Sequence, residues 1–221
     1  MNGGTQPVDV DTSADAAASP DSQTDSQTDG RTARSAKTRD AIADALLDLL
    51  ADGQFRPTAR EIAARADVSL RSVYVHFDDL EDLFCVAARR HYERIAPMLA
   101  PTPATGRLAE RAHALVQQRF TLYRQTGGIG RATRLHAAFS PTLARILRDA
   151  HARARADLER VFASELQRLP GAKRENVVAV LDVLTGPDAW EILRDRNDLA
   201  ADIAMQCVVD SIVLHLRADH A

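Results

Sequence analysis

The side chains with the most chemistry to offer stand together within residues 58–77: Thr58, Glu61, Ser69, Arg71, Ser72, Tyr74 and His76. Hydroxyls, a guanidinium, a phenol and an imidazole in this order donate and accept hydrogen bonds, but they make no nucleophile–base pair. They suit reading a polar surface rather than breaking a bond. Elsewhere no nucleophile motif, phosphate loop or dinucleotide fingerprint occurs. The seven histidines form no helical pair with a carboxylate arranged for zinc, and Cys85 and Cys207 match no metal or redox spacing. The expectation is therefore no catalytic residue, no metal, no cofactor and no enzymatic activity.

The elements around these residues explain their order. Thr58-Ala-Arg-Glu61 is a capping box that opens a short helix ending near Ala66. Asp67-Val68 makes a tight turn, and Ser69 caps a third helix running to about His76. Val73 and Phe77, four apart, point inward, which leaves Ser69, Leu70, Arg71, Ser72, Tyr74 and His76 outward. Two short helices joined by a turn of about three residues are a helix-turn-helix, whose second helix offers its N-terminal residues to the major groove of double-stranded DNA. Upstream, Arg31, Arg34, Lys37 and Arg39 form a basic run suited to the phosphate backbone or the minor groove. Against this, residues 31–96 hold eleven basic and eleven acidic side chains, with Asp78, Asp79 and Glu81 crowded at the start of a fourth helix. That balance supports a second reading, a helical protein-interaction module whose degenerate helix-turn-helix no longer reads DNA.

From Arg34 onward apolar residues recur at three- and four-residue spacing, so the fold class is all-α, a three-helix DNA-binding domain followed by a larger helical domain. The first helix is expected from Ser35 to Ala51, and the fourth from Asp79 to just before Pro97. Three prolines in Pro97–Thr105 mark a boundary. Thr105 then caps a helix to about Gln125, Gly127, Gly128 and Gly130 break the chain, and a short helix covers Arg131–Phe139. Ser140-Pro141 opens a long helix that carries Leu166, and two more cover Lys173–Arg194, kinked at Gly186-Pro187, and Asp198–Arg217. Apolar residues run almost round the last helix, so Ile203, Cys207, Val208, Ile212 and Leu216 are assigned to a partner subunit. The domains are an acidic tail at 1–33, a helix-turn-helix domain with its bridging fourth helix at 34–96, and a helical dimerisation domain at 104–221, to which resemblance to a known family adds ligand binding.

Composition agrees with that division. At 221 residues, 45 % hydrophobic and 27 % charged, the chain is of globular type. Its net charge of -3 conceals a tail: residues 1–30 hold six aspartates and no Lys or Arg, and Asp-Ser-Gln-Thr repeats at Asp21 and Asp25. Such a segment has too little apolar surface to offset the entropy of ordering, and it is expected to be disordered. No apolar run approaches the ~20 residues of a membrane span, and no basic-then-apolar leader opens the chain, so a soluble, cytoplasmic protein is expected.

The pattern Thr58-x-x-x-Ile62-Ala63-x-x-Ala66-x-Val68-Ser69-x-x-x-Val73-Tyr74-x-His76-Phe77, set between a first helix ending in Gly53-x-Phe55 and a further helix at Leu83, resembles the DNA-binding domain of the tetracycline-repressor (TetR) family. The resemblance spans Thr38 to about Ala88. It implies a homodimeric repressor on a palindromic operator, released by a small-molecule effector. It places Thr58, Ser69, Ser72, Tyr74 and His76 at phosphate-contacting or capping positions and Leu70, Arg71 and Val75 where base edges are read. It also implies a cavity after the linker, for which Phe120, Tyr123, Arg124, Arg134, His136, Phe139, Phe162 and Trp190 are the candidate lining. Two positions depart from the pattern: Asp67 stands where the turn usually has glycine, and Leu80 where a phosphate-binding lysine is frequent.

Overall fold

The computed structural model describes residues 1, 3 and 21–217, of which 21–30 by backbone alone. Every regular element among them is helical. They are α1 (Asp21–Ala51), α2 (Ala59–Arg65), α3 (Leu70–His76), α4 (Leu80–Ile95), α5 (Leu108–Ala137), α6 (Pro141–Val161), α7 (Ala163–Leu166), α8 (Gly171–Leu184), α9 (Pro187–Glu191) and α10 (Ala201–Arg217). A 3-10 turn, Ala96–Leu99, follows α4 and holds Pro97, and a π-helical turn, Ile192–Arg196, follows α9.

The chain divides into two compact units, Met1–Thr38 and Arg39–Ala221. In the first, the helix begins at Asp21 rather than Ser35, so residues 21–33, expected to be disordered, are helical. Asp9, Asp11 and Asp15 lie outside the described residues. Arg31, Arg34 and Lys37 are exposed, and the Thr38 hydroxyl donates to the Arg34 carbonyl at 3.1 Å.

The second unit has two apolar clusters. The first joins Ile42, Leu46 and Leu50 of α1, Ile62 of α2, Val73 of α3, Phe77 beyond it and Leu83 and Phe84 of α4, and it takes in Ile129 and Ala132 of α5 and Leu143 of α6. The second gathers Leu115 and Phe120 of α5, Leu158 and Val161 of α6, Leu181 of α8 and Val208 and Ile212 of α10. Each fully buried leucine or phenylalanine contributes about 1.5–3 kcal/mol of burial.

Three expectations for the body are corrected. The first concerns Gly127, Gly128 and Gly130, which do not break the chain: α5 runs through them to Ala137 and absorbs the expected short helix at Arg131–Phe139. A Cβ on Gly128 would stand 2.5 Å from the Leu50 carbonyl oxygen, so this glycine is where the end of α1 passes against α5. Buried residues on both sides, Phe120 before and Ile129 and Ala132 after, offset the weak helix propensity of glycine. Next, α5 starts at Leu108, after Arg107 rather than Thr105, with the Arg107 N–H donating to Glu110 at 3.0 Å. Third, the long helix ends at Val161, because Phe162 leaves helical geometry (φ -109°, ψ 21°), and Leu166 belongs to a separate turn, α7. The kink at Gly186-Pro187 is present and separates α8 from α9.

Candidate nucleic-acid interface and internal cavity

The helix-turn-helix is assembled by local hydrogen bonds. At the start of α2 the Glu61 N–H donates to Thr58 Oγ1 at 3.3 Å, and the Thr58 N–H donates back to the Glu61 carboxylate at 2.7 Å. Those Thr58 bonds hold the carboxyl of Glu61 below its usual range. Asp67 adopts φ 53°, the left-handed conformation the turn needs and which Asp tolerates better than most residues. Ser69 Oγ then accepts from the Ser72 N–H at 3.1 Å and starts α3.

With Val73 and Phe77 buried, α3 turns Leu70, Arg71, Tyr74 and Val75 to solvent, Tyr74 at 56 % and Val75 at 70 % exposure. Ser72 and His76 are half-buried at the edge of that face. Exposed apolar, phenolic and guanidinium groups side by side on one short helix are costly as plain surface and suited to base edges: Arg to guanine, apolar carbon to the thymine methyl.

Arg39, read with the basic run, has another task. Its Nη1 donates to the His76 carbonyl at 2.7 Å, its guanidinium stacks 4.5 Å from the centre of the Phe77 ring, and it pairs with Asp82 at 3.6 Å. It caps the C-terminus of α3, where a cation meets the negative end of the dipole. Two of the three acidic residues at the start of α4 are likewise engaged, while Asp78 is exposed. Asp79 caps α4 by accepting from the Asp82 N–H at 2.8 Å, and Glu81 accepts from the Ser140 hydroxyl at 2.7 Å.

Further into the body lies a cavity of about 370 Å³ between α4, α5, α6 and the α9 region. Four of the eight candidate lining residues border it: Tyr123, Arg124, Arg134 and Trp190. The Tyr123 hydroxyl donates to the Thr185 carbonyl at 3.0 Å, and burial pushes that phenol up. Arg134 is paired with Glu191 and, at 3.5 Å, with Asp188. Arg124 makes no hydrogen bond or ion pair among the described residues.

The other four candidates have different places. Phe120 is buried beside the cavity, its ring 4.6 Å from that of Trp190, and Phe162 is core. His136 donates from Nε2 to the Phe55 carbonyl at 2.8 Å and stacks on Phe84 at 3.9 Å, joining α5 to the connection between α1 and α2 and to α4. Phe139, 76 % exposed, borders a separate recess of about 580 Å³ shared with Tyr74 and Leu80. Aromatic character marked these residues, but helix phase decides which side each one faces.

Sequence reasoning missed the α4 wall of the cavity. His91, 8 % exposed, lines it and makes no hydrogen bond among the described residues. Burial, helped by the charge of Arg94, lowers its pKa to about 4, so the ring is neutral near pH 7. Its place one turn before the buried Ile95 was the available signal.

The residues assigned to a partner subunit also divide. Val208, Ile212 and Leu216 are buried within the chain, mainly because α10 lies along α5. Ile203 and Cys207 are exposed, and with Leu214 of α10 and Val180 and Val183 of α8 they leave an apolar surface on two helices that pack together. Among the described residues no cluster of His, Cys, Asp or Glu is arranged for a metal ion, and no helix is long and apolar enough to cross a membrane.

No family model matches the chain, and no curated protein matches it. Solved structures do. A transcriptional regulator from Rhodococcus sp. RHA1 superimposes with a TM-score of 0.66 at 22 % identity, over 81 % of this chain and 96 % of that one. A TetR transcription regulator from Haloarcula marismortui gives 0.63 at 15 % identity, over 83 % and 98 %. The regulator FadR from Bacillus subtilis, in complex with stearoyl-CoA, gives 0.59 at 15 % identity, over 81 % and 98 %. The fold of this chain is that of TetR-type transcriptional regulators, as its sequence pattern implied.

Proposed function

We propose that the chain is a TetR-type transcriptional regulator, a homodimeric repressor that binds a palindromic operator and leaves it when a small molecule enters the cavity. The observation that carries this is the capped α2–turn–α3 unit with Leu70, Arg71, Tyr74 and Val75 exposed on one face. In this reading Arg71 and Val75 reach base edges, while Tyr74, Ser72 and the caps at Thr58 and Ser69 meet phosphates. Arg34 and Lys37 add electrostatic attraction to the backbone. The protein-interaction alternative rested on the acidic Asp78–Glu81 segment at the start of α4, in which Asp79 and Glu81 are engaged in internal bonds and Asp78 is exposed.

The exposed apolar surface of α8 and α10 supports pairing of two copies, which would set two recognition helices about 34–36 Å apart, or a multiple of that, for successive major grooves. The cavity supports ligand control, because α4 contributes both to its wall, through His91, and to the core under α3, through Leu83. A ligand that binds one spacing of the two DNA-binding modules more tightly shifts the dimer toward it. That FadR of this fold holds stearoyl-CoA supports a ligand site in such a body.

Fluorescence anisotropy on the intergenic DNA upstream of the gene tests the reading. Sequence-dependent binding is expected, with Arg71→Ala relaxing base preference and Tyr74→Phe weakening all sites alike. Absence of any sequence-dependent binding at low salt would favour the protein-interaction module.

A further inference from the structure

We infer that the cavity takes an organic anion, a carboxylate or an acid of similar charge on an apolar body, held by Arg124 and by the N–H of His91. This rests on the reading of the cavity as the effector site. The wall supplies the apolar half of the argument: Ile95, Leu99, Leu122, Leu147 and Trp190 face the space, and a volume of about 370 Å³ lies at the small end of the range for drug-sized ligands.

The charges supply the other half. The two carboxylates on the wall, Glu191 and Asp195, are already taken. Arg131 pairs with both, at 3.5 Å and 3.0 Å, and Arg134 pairs with Glu191. The remaining cations are not answered by carboxylates. Arg194 donates to the Leu199 carbonyl and lies over the Trp190 ring. Arg124 has no partner among the described residues.

Arg119, only 6 % exposed, sits just behind the wall. It donates to the carbonyl of Ala154, a lining residue, and to the Thr185 hydroxyl, and it forms no ion pair within 4.0 Å among the described residues. Burial pulls its pKa down, the mark of a cation that lacks full compensation. A buried positive charge answered only at a distance, by Asp182 and Asp157, leaves the adjoining space more favourable to an anion than to a second cation.

His91 adds the directional contact. It is buried, neutral and touches the ring of Tyr92, and its side chain makes no hydrogen bond or ion pair among the described residues, so one ring nitrogen carries an N–H from which a carboxylate oxygen can accept a hydrogen bond. Because His91 belongs to α4, an anion held there is bonded to the helix that also underlies the recognition module.

The test uses the full-length protein and two matched ligand sets that differ only in the head group. One is decanoate, decan-1-ol and decylammonium; the other is 2-naphthylacetate, 2-naphthylethanol and 2-naphthylethylammonium. Calorimetry should show, in at least one set, the carboxylate binding five-fold or more tighter than the alcohol, with the ammonium weakest. Arg124→Gln and His91→Leu should each weaken the carboxylate about ten-fold and leave the alcohol within two-fold; Arg124 is exposed, so its variant keeps the test independent of folding. A smaller head-group preference, an ammonium that binds best, six ligands that do not bind, or equal losses for acid and alcohol would each overturn the assignment. Operator anisotropy separates this from the reading beneath it. A carboxylate that binds without changing operator affinity leaves the anion site standing and removes its regulatory role. An alcohol or amine that binds best and releases the operator does the reverse.

Discussion

The caps that start α2, α3 and α4 act across three residues at exposed positions: Thr58 with Glu61, Ser69 with Ser72, Asp79 with Asp82. In the body the corresponding work falls to arginines that are buried and reach far along the chain. Arg111 bonds Glu165 and the Val161 carbonyl, and Arg119 bonds Thr185 and the Ala154 carbonyl. The difference teaches where each region is fragile. A cap lost at the surface is replaced by water, so the recognition module should lose stability in small steps. A buried arginine removed leaves partners that water reaches poorly, so the body should fail at a few positions by large amounts.

The strongest test of that contrast is Arg111→Ala. Glu165, 12 % exposed, would keep its charge without a counter-charge and the Val161 carbonyl would lose a donor, so a loss of about 3–5 kcal/mol is expected in urea unfolding. Replacing both partners, Arg111→Met with Glu165→Leu, should restore most of it. The pair also sets an acid limb. Burial pushes the Glu165 carboxyl up, and its bonds from Arg111 and Ser164 more than reverse this, leaving it below the usual 4.5. A carboxyl depressed in the folded state stabilises above its unfolded value, and that contribution disappears as pH falls through the lower folded one. Stability should therefore drop below about pH 4.5, and Glu165→Gln should flatten the drop. A single-residue cost under about 1 kcal/mol for Arg111→Ala would put the body in the same class as the module.

Gly128→Ala comes next. Its Cβ would meet backbone, the Leu50 carbonyl at 2.5 Å and that of Ala51 at 3.1 Å, and a helix end cannot swing away as a side chain can. About 1–3 kcal/mol should be lost. Hydrogen exchange should show the damage at both the end of α1 and the middle of α5, two segments remote in sequence.

The same contrast explains what could be read from the residues alone. The capping box at Thr58, the cap at Ser69 and the turn at Asp67 are signals contained within four residues, and the structure has all three where they were expected. The long-range features were misread because their partners are remote. Gly127 to Gly130 looked like a break, since nothing nearby in sequence announces that the end of α1 crosses there. Arg39 looked like part of a DNA-binding arm because its partners, the His76 carbonyl and Asp82, lie some forty residues on. Aromatic residues were taken as cavity lining by type, and helix phase sent Phe162 to the core and Phe139 to the surface. The neutral histidine that does line the cavity had only its place one turn before the buried Ile95 to mark it as inward-facing, and nothing local to mark a cavity.

Thr58→Ala sharpens the module's side of the comparison. It removes the acceptor for the Glu61 N–H and one of the two donors that hold the Glu61 carboxylate, at an exposed helix end. About 1 kcal/mol should be lost. Operator affinity should fall by more than stability explains if the Thr58 hydroxyl also meets a phosphate, and anisotropy at a temperature well below the unfolding transition separates the two. A loss near that of Arg111→Ala would erase the distinction between the regions.

The smallest expected effect has the opposite sign and comes from the residue beside Gly128. Gly127 is helical, within α5, and a Cβ built there meets nothing within 4 Å. Alanine restricts the unfolded chain more than glycine does and costs nothing in the native helix, so Gly127→Ala should stabilise by about 0.5–1 kcal/mol. Because Gly127 also borders the cavity, the added methyl takes a little of its volume, and ligand affinity should change far less than stability. Two adjacent glycines with opposite responses to one methyl group would locate the requirement for glycine at the crossing with α1. If both variants were destabilised alike, the glycine run would instead be needed for flexibility of α5 as a whole, and the rigid, long-range character assigned to the body would not hold there.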